Sequence, residues 1–507
     1  MMKYLLGIDN GGTFSKAALF TENGKQVAVA SEAASSIMPL PGYTERDMDE
    51  LWEVNARVIR KVVELRGIDP SLIAGVSFSG HGKGLYLVDK KGKPAYKGIL
   101  STDTRAWEYA KKWQADGTQE NAYKKTCQKI LACQPVSLLA WFKDHKPEVL
   151  QKTRYIFAVK DYIRFMLTGE AYGEYTDFTG ANLVNFITKK YDQELLALFG
   201  IEEVYDKLPP LRHAADVCGF ITQEASEKTG LLKGTPVAAG MFDVDACGIA
   251  TGLSDTKKLC MIAGTWSINE FIAEKPVLNG SVDLNSMFCI PGYYLIEESS
   301  PTSAGNLEWF IDNLMDKEKE QAKVSGVPVY NLTNQWAAEI EPTDTEVVFL
   351  PFLHGSNENP LAKGTFIGLT AYHTKKHMLR AVYEGIVFSH LTHVKKLLKN
   401  REQPTCIQLS GGAANSPVWV QIFADALQIP IETVAGKELG AQGAAMAAGI
   451  AAGLYEDFPD AIKKTVKITG VTQPRPGYRE IYARKYARYC RVVEALHGVW
   501  EDFETKV

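Results

Sequence analysis

The chain has 507 residues, more than one hydrophobic core ordinarily organises, so two or more domains are expected. Hydrophobic residues make up 46% and charged residues 23%, the usage of a folded globular protein and not of a disordered one. Lys plus Arg number 56 against 60 for Asp plus Glu, and a formal charge of −4 leaves no basic footprint for nucleic acid or a membrane surface.

After Lys3 the apolar stretch Tyr4–Ile8 is broken by Asp9, shorter than the about 7–15 residues of a secretory h-region. No segment approaches the roughly 20 apolar residues of a spanning helix. The eight Cys form no C-x-x-C pair, so unpaired thiols in a reducing compartment are expected. These features predict a cytoplasmic α/β protein.

In chain order, Tyr4–Ile8 reads as a strand that meets the turn Asn10-Gly11-Gly12-Thr13. A second strand, Lys16–Phe20, ends at Asn23-Gly24, so the pair predicts a β-hairpin. Leu51, Val58, Ile59, Val62 and Leu65 recur at helical spacing. Ile73–Phe78 then reads as a buried strand ending in Ser79-Gly80-His81-Gly82. Pro236–Ala239 predicts another strand, followed by Asp243 and Asp245 at the start of a Gly/Ala-rich helix. Small residues around 244–256 suggest a hinge.

The second half repeats the first. Strand Lys258–Ala263, the turn Gly264-Thr265-Trp266-Ser267 and strand Ile268–Ala273 match the opening hairpin, with GTWS at 264–267 standing where GTFS stands at 12–15. A helical pattern from His377 to Leu398 then leads to strand Cys406–Leu409 and Ser410-Gly411-Gly412. Two similar α/β domains facing one another across a cleft is the economical reading. Asp316–Glu320 is expected to be a solvated loop or helix end. Tyr482, Tyr486, Tyr489, Val493, Leu496, Trp500 and Phe503 predict one C-terminal helix that packs in a core.

Gly-rich turns after strands can offer backbone N–H groups to phosphates, and two related turns suggest an anion held from both halves. Neither a P-loop nor a dinucleotide fingerprint is present. Lys16 either reaches a phosphate or is a solvated strand lysine. Asp9 is a turn former, or a carboxylate beside phosphates that requires a cation such as Mg2+. Asp243 is a helix N-cap, or a base that accepts a proton from a hydroxyl attacking phosphorus; Asp245 is the better cap. His81 and Asp103, at strand ends, are candidate readers of a polyol. His390 and His393 are spaced i,i+3 but lack a third ligand, so no metal is expected there.

These segments resemble the FGGY sugar kinases of the actin, hexokinase and Hsp70 superfamily, over essentially the whole chain. GIDNGGTFSKA at 7–17 and AGTWS at 263–267 are similar to the family's two phosphate motifs, and AGMFDVDA at 239–246 to its catalytic-Asp segment. SGGAANSPVWVQIFADALQIPI at 410–431 resembles the C-terminal signature, and ELGAQGAAMAAG at 438–449 the Gly/Ala helix beside the adenosine pocket. PGYTERDMDELW at 41–52, QPVSLLAWFKDH at 134–145 and LPFLHGSN at 350–357 are most similar to the L-xylulose and 3-keto-L-gulonate kinase branch. Leu138 replaces a Lys of many members, and His81-Gly82 replaces the Arg-Glu pair of glycerol kinases, which argues against glycerol.

The resemblance implies two actin-like (ribonuclease H-like) domains, an N-terminal sugar-binding lobe over 1–246 and a C-terminal nucleotide-binding lobe over 247–507. It implies ATP and Mg2+ as cofactors, a small sugar as acceptor, and homodimers as a frequent state of relatives. Asp243 would be the general base and, with Asp9, the metal ligand. Gly11, Gly12, Thr13 and Lys16 would hold phosphates from one lobe, with Gly264 and Thr265 on the other. Gly411, Gly412, Asn415 and Gly305 would line the adenosine pocket. His81, Gly82, Asp103 and Asp243 would contact the sugar, with gluconate or D-xylulose as alternatives to L-xylulose. A non-catalytic nucleotide switch or sugar sensor is the rival of another class.

Overall fold

A strand with the sequence Leu-Leu-Gly-Ile can bury a continuous apolar run only when both of its faces are covered. β1 (Tyr4–Asn10) is buried from Leu5 to Ile8. The computed structural model describes residues 2–503 apart from Arg66, Asp283, Glu358 and Pro360. β1 turns into β2 (Phe14–Thr21) and β3 (Gln26–Ala33), and α1 (Met48–Glu64) then leads to β4 (Ile73–Gly80). Asp47 caps α1 by accepting from the Glu50 N–H at 2.9 Å. Leu65, counted on its apolar face, lies past the helix end and is exposed. Further on come α2 (Val159–Thr168), β5 (Val217–Phe220), β6 (Pro236–Ala238), β7 (Met241–Phe242) and α3 (Asp243–Thr251). The sheet runs β5, β6, β4, β1, β2, β3, and β7 pairs with β4 off this path.

The second sheet uses β8 (Lys258–Ala263), β9 (Ser267–Ala273), β10 (Tyr294–Ser300), β11 (Cys406–Ser410), β12 (Ile431–Val434) and, late in the chain, β13 (Ile468–Thr472). Their order is β10, β9, β8, β11, β12, β13. β8 is antiparallel to β9 and parallel to β11, which is parallel to β12. β1 stands in the same relation to β2, β4 and β6. The duplication read from the two tetrads is therefore a duplication of topology. Between these strands lie α4 (Gly305–Leu314), α5 (Val329–Glu339), α6 (Lys375–Leu397) and α7 (Pro417–Leu427). α8 (Leu439–Ala451) and α9 (Arg479–Leu496) complete the described helices used below.

The chain divides into two compact units elsewhere than at the expected 246/247 boundary. One contains the residues up to Ser254 together with Ile272–Ile296 and Gly436–Val466. The other contains Asp255–Phe271, Glu297–Ala435 and the residues from Lys467 on. The return of 436–466 to the first unit has a steric cause. α8 consists almost wholly of Gly and Ala, so its backbone can approach other backbones. A Cβ on Gly7 of β1 would lie 1.8 Å from the Ala441 carbonyl oxygen, and one on Gly443 would lie 2.1 Å from that of Ala246.

Other expectations are corrected in detail. The stretch read as a hinge is helical through Thr251. Asp316–Glu320 opens a helix, Asp316–Ser325, in which Glu318 is nearly buried and pairs with Lys375 at 2.8 Å. The aromatic stripe is buried at Tyr482, Tyr486 and Tyr489, but α9 stops at Leu496, and Phe503 is exposed in the following 3-10 turn. All eight cysteines are free thiols. Among the described residues no helix is long and apolar enough to cross a membrane.

The α8 packing predicts that Gly7→Ala lowers the apparent melting temperature, with a cost of about 1–3 kcal/mol from overpacking. Gly477→Ala, where an added Cβ meets nothing within 4 Å, leaves the melting temperature unchanged in the same thermal scan.

Candidate active site

Three segments of the first unit end in one row. Asn10 of β1 lies beside Gly80 of β4, and Gly80 lies beside Phe242 of β7, all in parallel register. One residue further along each strand stand Gly11, His81 and Asp243. The His81 N–H donates to the Asn10 carbonyl at 3.0 Å, which extends the row by one step. The third segment turns at Gly240, where φ is +82° and an added Cβ would lie 2.6 Å from the Phe78 carbonyl oxygen. Asp243 is half-buried and is the first residue of α3, where the helix N-terminus favours a negative charge. Asp245, expected to cap α3, is fully buried instead, and its Oδ1 accepts from the Cys289 N–H at 2.8 Å.

Asp9 accepts a hydrogen bond from Ser79 Oγ at 2.8 Å. A Cβ on Gly440, in the first turn of α8, would lie 3.0 Å from the Asp9 carboxyl carbon, so this helix start closes directly over the acid. Burial raises the Asp9 pKa above the usual carboxylate range, and nearby Glu438 pushes the same way; the Ser79 hydrogen bond and the Lys16 charge oppose them. Lys16, whose side chain is 35% exposed, pairs with Glu438 at 2.9 Å. In the turn itself, Gly11 N–H donates to Phe14 O and Ala34 N–H donates to Thr13 O. The Gly12 carbonyl accepts from the Arg46 guanidinium.

Arg46 is a residue that no motif singled out. It is almost wholly buried, and its Nε and Nη1 have no hydrogen-bond partner among the described residues. Burial and this charge together pull His81 down to about 4, so its imidazole is neutral at physiological pH. The Nδ1 faces the Gly82 carbonyl at 3.3 Å and Nε2 faces the Tyr86 hydroxyl at 3.2 Å. A neutral ring in that setting carries its proton on Nδ1 and accepts from Tyr86. Gly82 packs on the residue before Asp243: an added Cβ would lie 2.6 Å from the Phe242 ring. Asp103 is engaged inward. It is completely buried, and its oxygens accept from the Thr44 N–H at 2.7 Å and from the Arg105 N–H, Nε and Nη2 at 2.8–3.1 Å.

The second unit contains a cavity of about 500 Å³ that gathers Gly264, Thr265, Gly305, Gly412 and Asn415. Gly411 stands behind it at φ +84°, where a Cβ would lie 2.5 Å from the Ala263 carbonyl oxygen. Sequence reasoning missed much of the wall: Glu308 of α4, Tyr330, Asn331 and Asn334 of α5, Tyr383 of α6, and Ser416 and Trp419 at the start of α7. Asn334 Oδ1 accepts from the Ser416 and Tyr383 hydroxyls at 2.6 and 2.9 Å. Tyr383 and Trp419 rings pack 4.5 Å apart at a tilt of 35°, and both are buried in this wall. α5 has no Gly-rich or acidic signature, so no pattern in the chain marks Asn334. His390 and His393 spend their ring nitrogens on neighbouring side chains. His390 bonds Ser267 and Ser303, and His393 bonds Ser300 and Glu298.

Gly12, Gly264 and Gly412 share one property. None has a positive φ, and a Cβ on any of them would meet nothing within 4 Å. The fold does not need glycine at these places, whereas a ligand approaching the backbone would.

Residues 4–250 match the N-terminal domain, and residues 259–452 the C-terminal domain, of the FGGY family of carbohydrate kinases. The chain belongs to that family. It is 38% identical over 499 residues to a probable L-xylulose kinase of Pasteurella multocida, covering 98% of this chain and 100% of the relative. It is 36% identical over 500 residues to the L-xylulose/3-keto-L-gulonate kinase of Escherichia coli, covering 98% of each. A ligand-bound xylulose kinase structure from Lactobacillus acidophilus superposes with a TM-score of 0.89 at 26% identity, covering 99% of this chain and 100% of that one. The protein is thus a sugar phosphotransferase with the actin-like fold of its family, whose phosphoryl donor is ATP.

For this kinase, Gly12→Ala and Gly264→Ala are expected to melt as the wild type does and to lower kcat/KM for ATP about tenfold or more, since displacing a phosphate by 1 Å can cost about 10²-fold. Thermal scans and steady-state kinetics check both halves of the statement.

Proposed function

We propose that this kinase transfers the ATP γ-phosphoryl group to a small ketose or keto sugar acid of the L-xylulose type, with the C5 hydroxyl as acceptor. The relatives at 36–38% identity support the substrate class. The row Gly11–His81–Asp243 is the observation that carries the roles, since it gathers an acid, a neutral imidazole and a Gly turn at one sheet edge.

In this reading Asp243 accepts the hydroxyl proton as the oxygen attacks phosphorus. The α3 N-terminus favours a negative charge at this place, and positioning matters more than base strength in so loose a transition state. His81, its ring held between the Gly82 carbonyl and the Tyr86 hydroxyl, lines the sugar side of the row and stays uncharged across neutral pH. Gly11, Gly12, Thr13 and Lys16 face the phosphates in the first unit. Gly264, Thr265, Gly305, Gly411, Gly412 and Asn415 take the nucleotide in the second, its base against Tyr383 and Trp419. Asp103 acts at one remove, by fixing Arg105 and Thr44. The chain works in the cytoplasm.

Among the described residues no three His, Cys, Asp or Glu side chains form a metal cage. A pair of carboxylates, Asp9 and Asp243, fits Mg2+, which keeps several waters and binds through one or two carboxylates plus phosphate oxygens. Asp9 and Asp243 would hold it, and a cation beside Asp9 would reverse the rise that burial imposes on its carboxyl. When bound, Mg2+ neutralises charge on the phosphates.

Asp243→Asn is expected to cut sugar-dependent ADP formation by at least about 10²-fold while ATP still binds, as equilibrium titration will show. An Asn variant that turns over at the wild-type rate would overturn the assignment. A panel of L-xylulose, 3-keto-L-gulonate, D-xylulose, L-ribulose, gluconate and glycerol tests the substrate. The highest kcat/KM is expected for one of the first two, with glycerol inert.

A further inference from the structure

We propose that a buried charged clamp aims the segment carrying Asp243, and that Thr176 is the positioning residue through which the clamp acts. This rests on the reading of Asp243 as the base. The clamp is built around Lys160, whose ammonium is wholly buried and meets Asp161 at 3.0 Å, Asp177 at 2.7 Å and Glu174 at 3.4 Å. Arg164, on the same helix α2, shares Asp161 at 2.8 Å.

The clamp grips the catalytic segment at both ends. Arg164 Nη1 donates to the Ala239 carbonyl at 2.6 Å, just before the turn at Gly240. Thr176 Oγ1 accepts from the Phe242 N–H at 2.8 Å, immediately before Asp243. The same hydroxyl donates its hydrogen to Glu174 Oε2 at 2.6 Å. A hydroxyl whose hydrogen is committed to a carboxylate has its lone pairs oriented, so Phe242 N–H meets a fixed acceptor. Glu174 is held in turn by Lys160 and by the Thr176 N–H at 3.0 Å. The path from Lys160 to the base is therefore Lys160, Glu174, Thr176, Phe242, Asp243, with a polar contact at each step up to Phe242.

A buried ion network is a poor way to gain stability, because apolar residues of equal volume usually serve as well or better. Its outward bonds are more telling. Besides those to the Tyr172 carbonyl and the Ala158 N–H, two of them fall on the main-chain groups that bracket Gly240–Met241, the stretch whose placement fixes where Asp243 stands. An acid displaced by about 1 Å from its acceptor loses much of its effect on rate without altering substrate affinity.

The test compares Thr176→Val, Thr176→Ala and Thr176→Ser in the full-length enzyme, beside Asp243→Asn. Val and Ala remove the acceptor and are expected to lower kcat about 10- to 100-fold with KM for sugar and ATP unchanged; Ser, which keeps the hydroxyl, restores kcat. A purely structural role would lower the melting temperature and leave kcat per folded enzyme intact, with no selective rescue by Ser. If Val does not fold, Ala carries the comparison. Wild-type kcat in a folded Val or Ala variant, with Asp243→Asn inactive, overturns the clamp alone. Full activity of Asp243→Asn overturns the reading of the base, whatever Thr176 does.

Discussion

The contact on which the first unit depends is one between main chains. α8 carries so little side chain that its Ala441 carbonyl rests where a Cβ on Gly7 of β1 would be, and the Ala246 carbonyl of α3 rests where a Cβ on its own Gly443 would be. Backbones at that separation leave no slack, so the strand that ends in Asp9 and the helix that begins at Asp243 are referenced to the same rod. Gly440 extends the arrangement to the acid itself, because the first turn of α8 sits against the Asp9 carboxyl. A larger residue at any of these places would move a carboxylate before it disturbed the apolar core.

The glycines of the chain fall into two physical kinds. Gly240 and Gly411 are required by their own backbone angles and by neighbours that leave no room for a Cβ. Gly12, Gly264 and Gly412 are required by neither. Sequence alone cannot separate the kinds, since each is only a Gly after a strand. The distinction matters for chemistry, because glycines of the second kind leave space beside the backbone for an incoming group.

Much of the architecture was readable from pattern. The repeated hairpin, helix and strand appear in the structure as two sheets of matching order, because buried strands and Gly turns write themselves locally in the chain. The row of Gly11, His81 and Asp243 was foreshadowed by three strand ends, each followed by polar residues. What escaped notice depends on distant partners. Asn334 lies in a helix with no unusual residue, and Thr176, Glu174 and Lys160 matter only through one another. Arg46 sits in a two-residue strand too short to carry a signal. Asp103 reads as a polyol contact from its place at a strand end, yet Arg105 and Thr44 occupy it from the inside. The contact boundary also differs from the linear one, since nothing in the local pattern says that Gly436–Val466 returns to the first unit.

That return has a consequence for biosynthesis. The first unit has all of its β-strands up to β7 on the nascent chain by Ser254, but its Gly/Ala rod is translated only after most of the second unit. At about 5–20 residues per second, roughly 200 further residues delay it by some ten to forty seconds. Through that interval the face of β1 around Gly7 has no cover from its own chain. The first unit therefore completes its packing only after most of the second has been made.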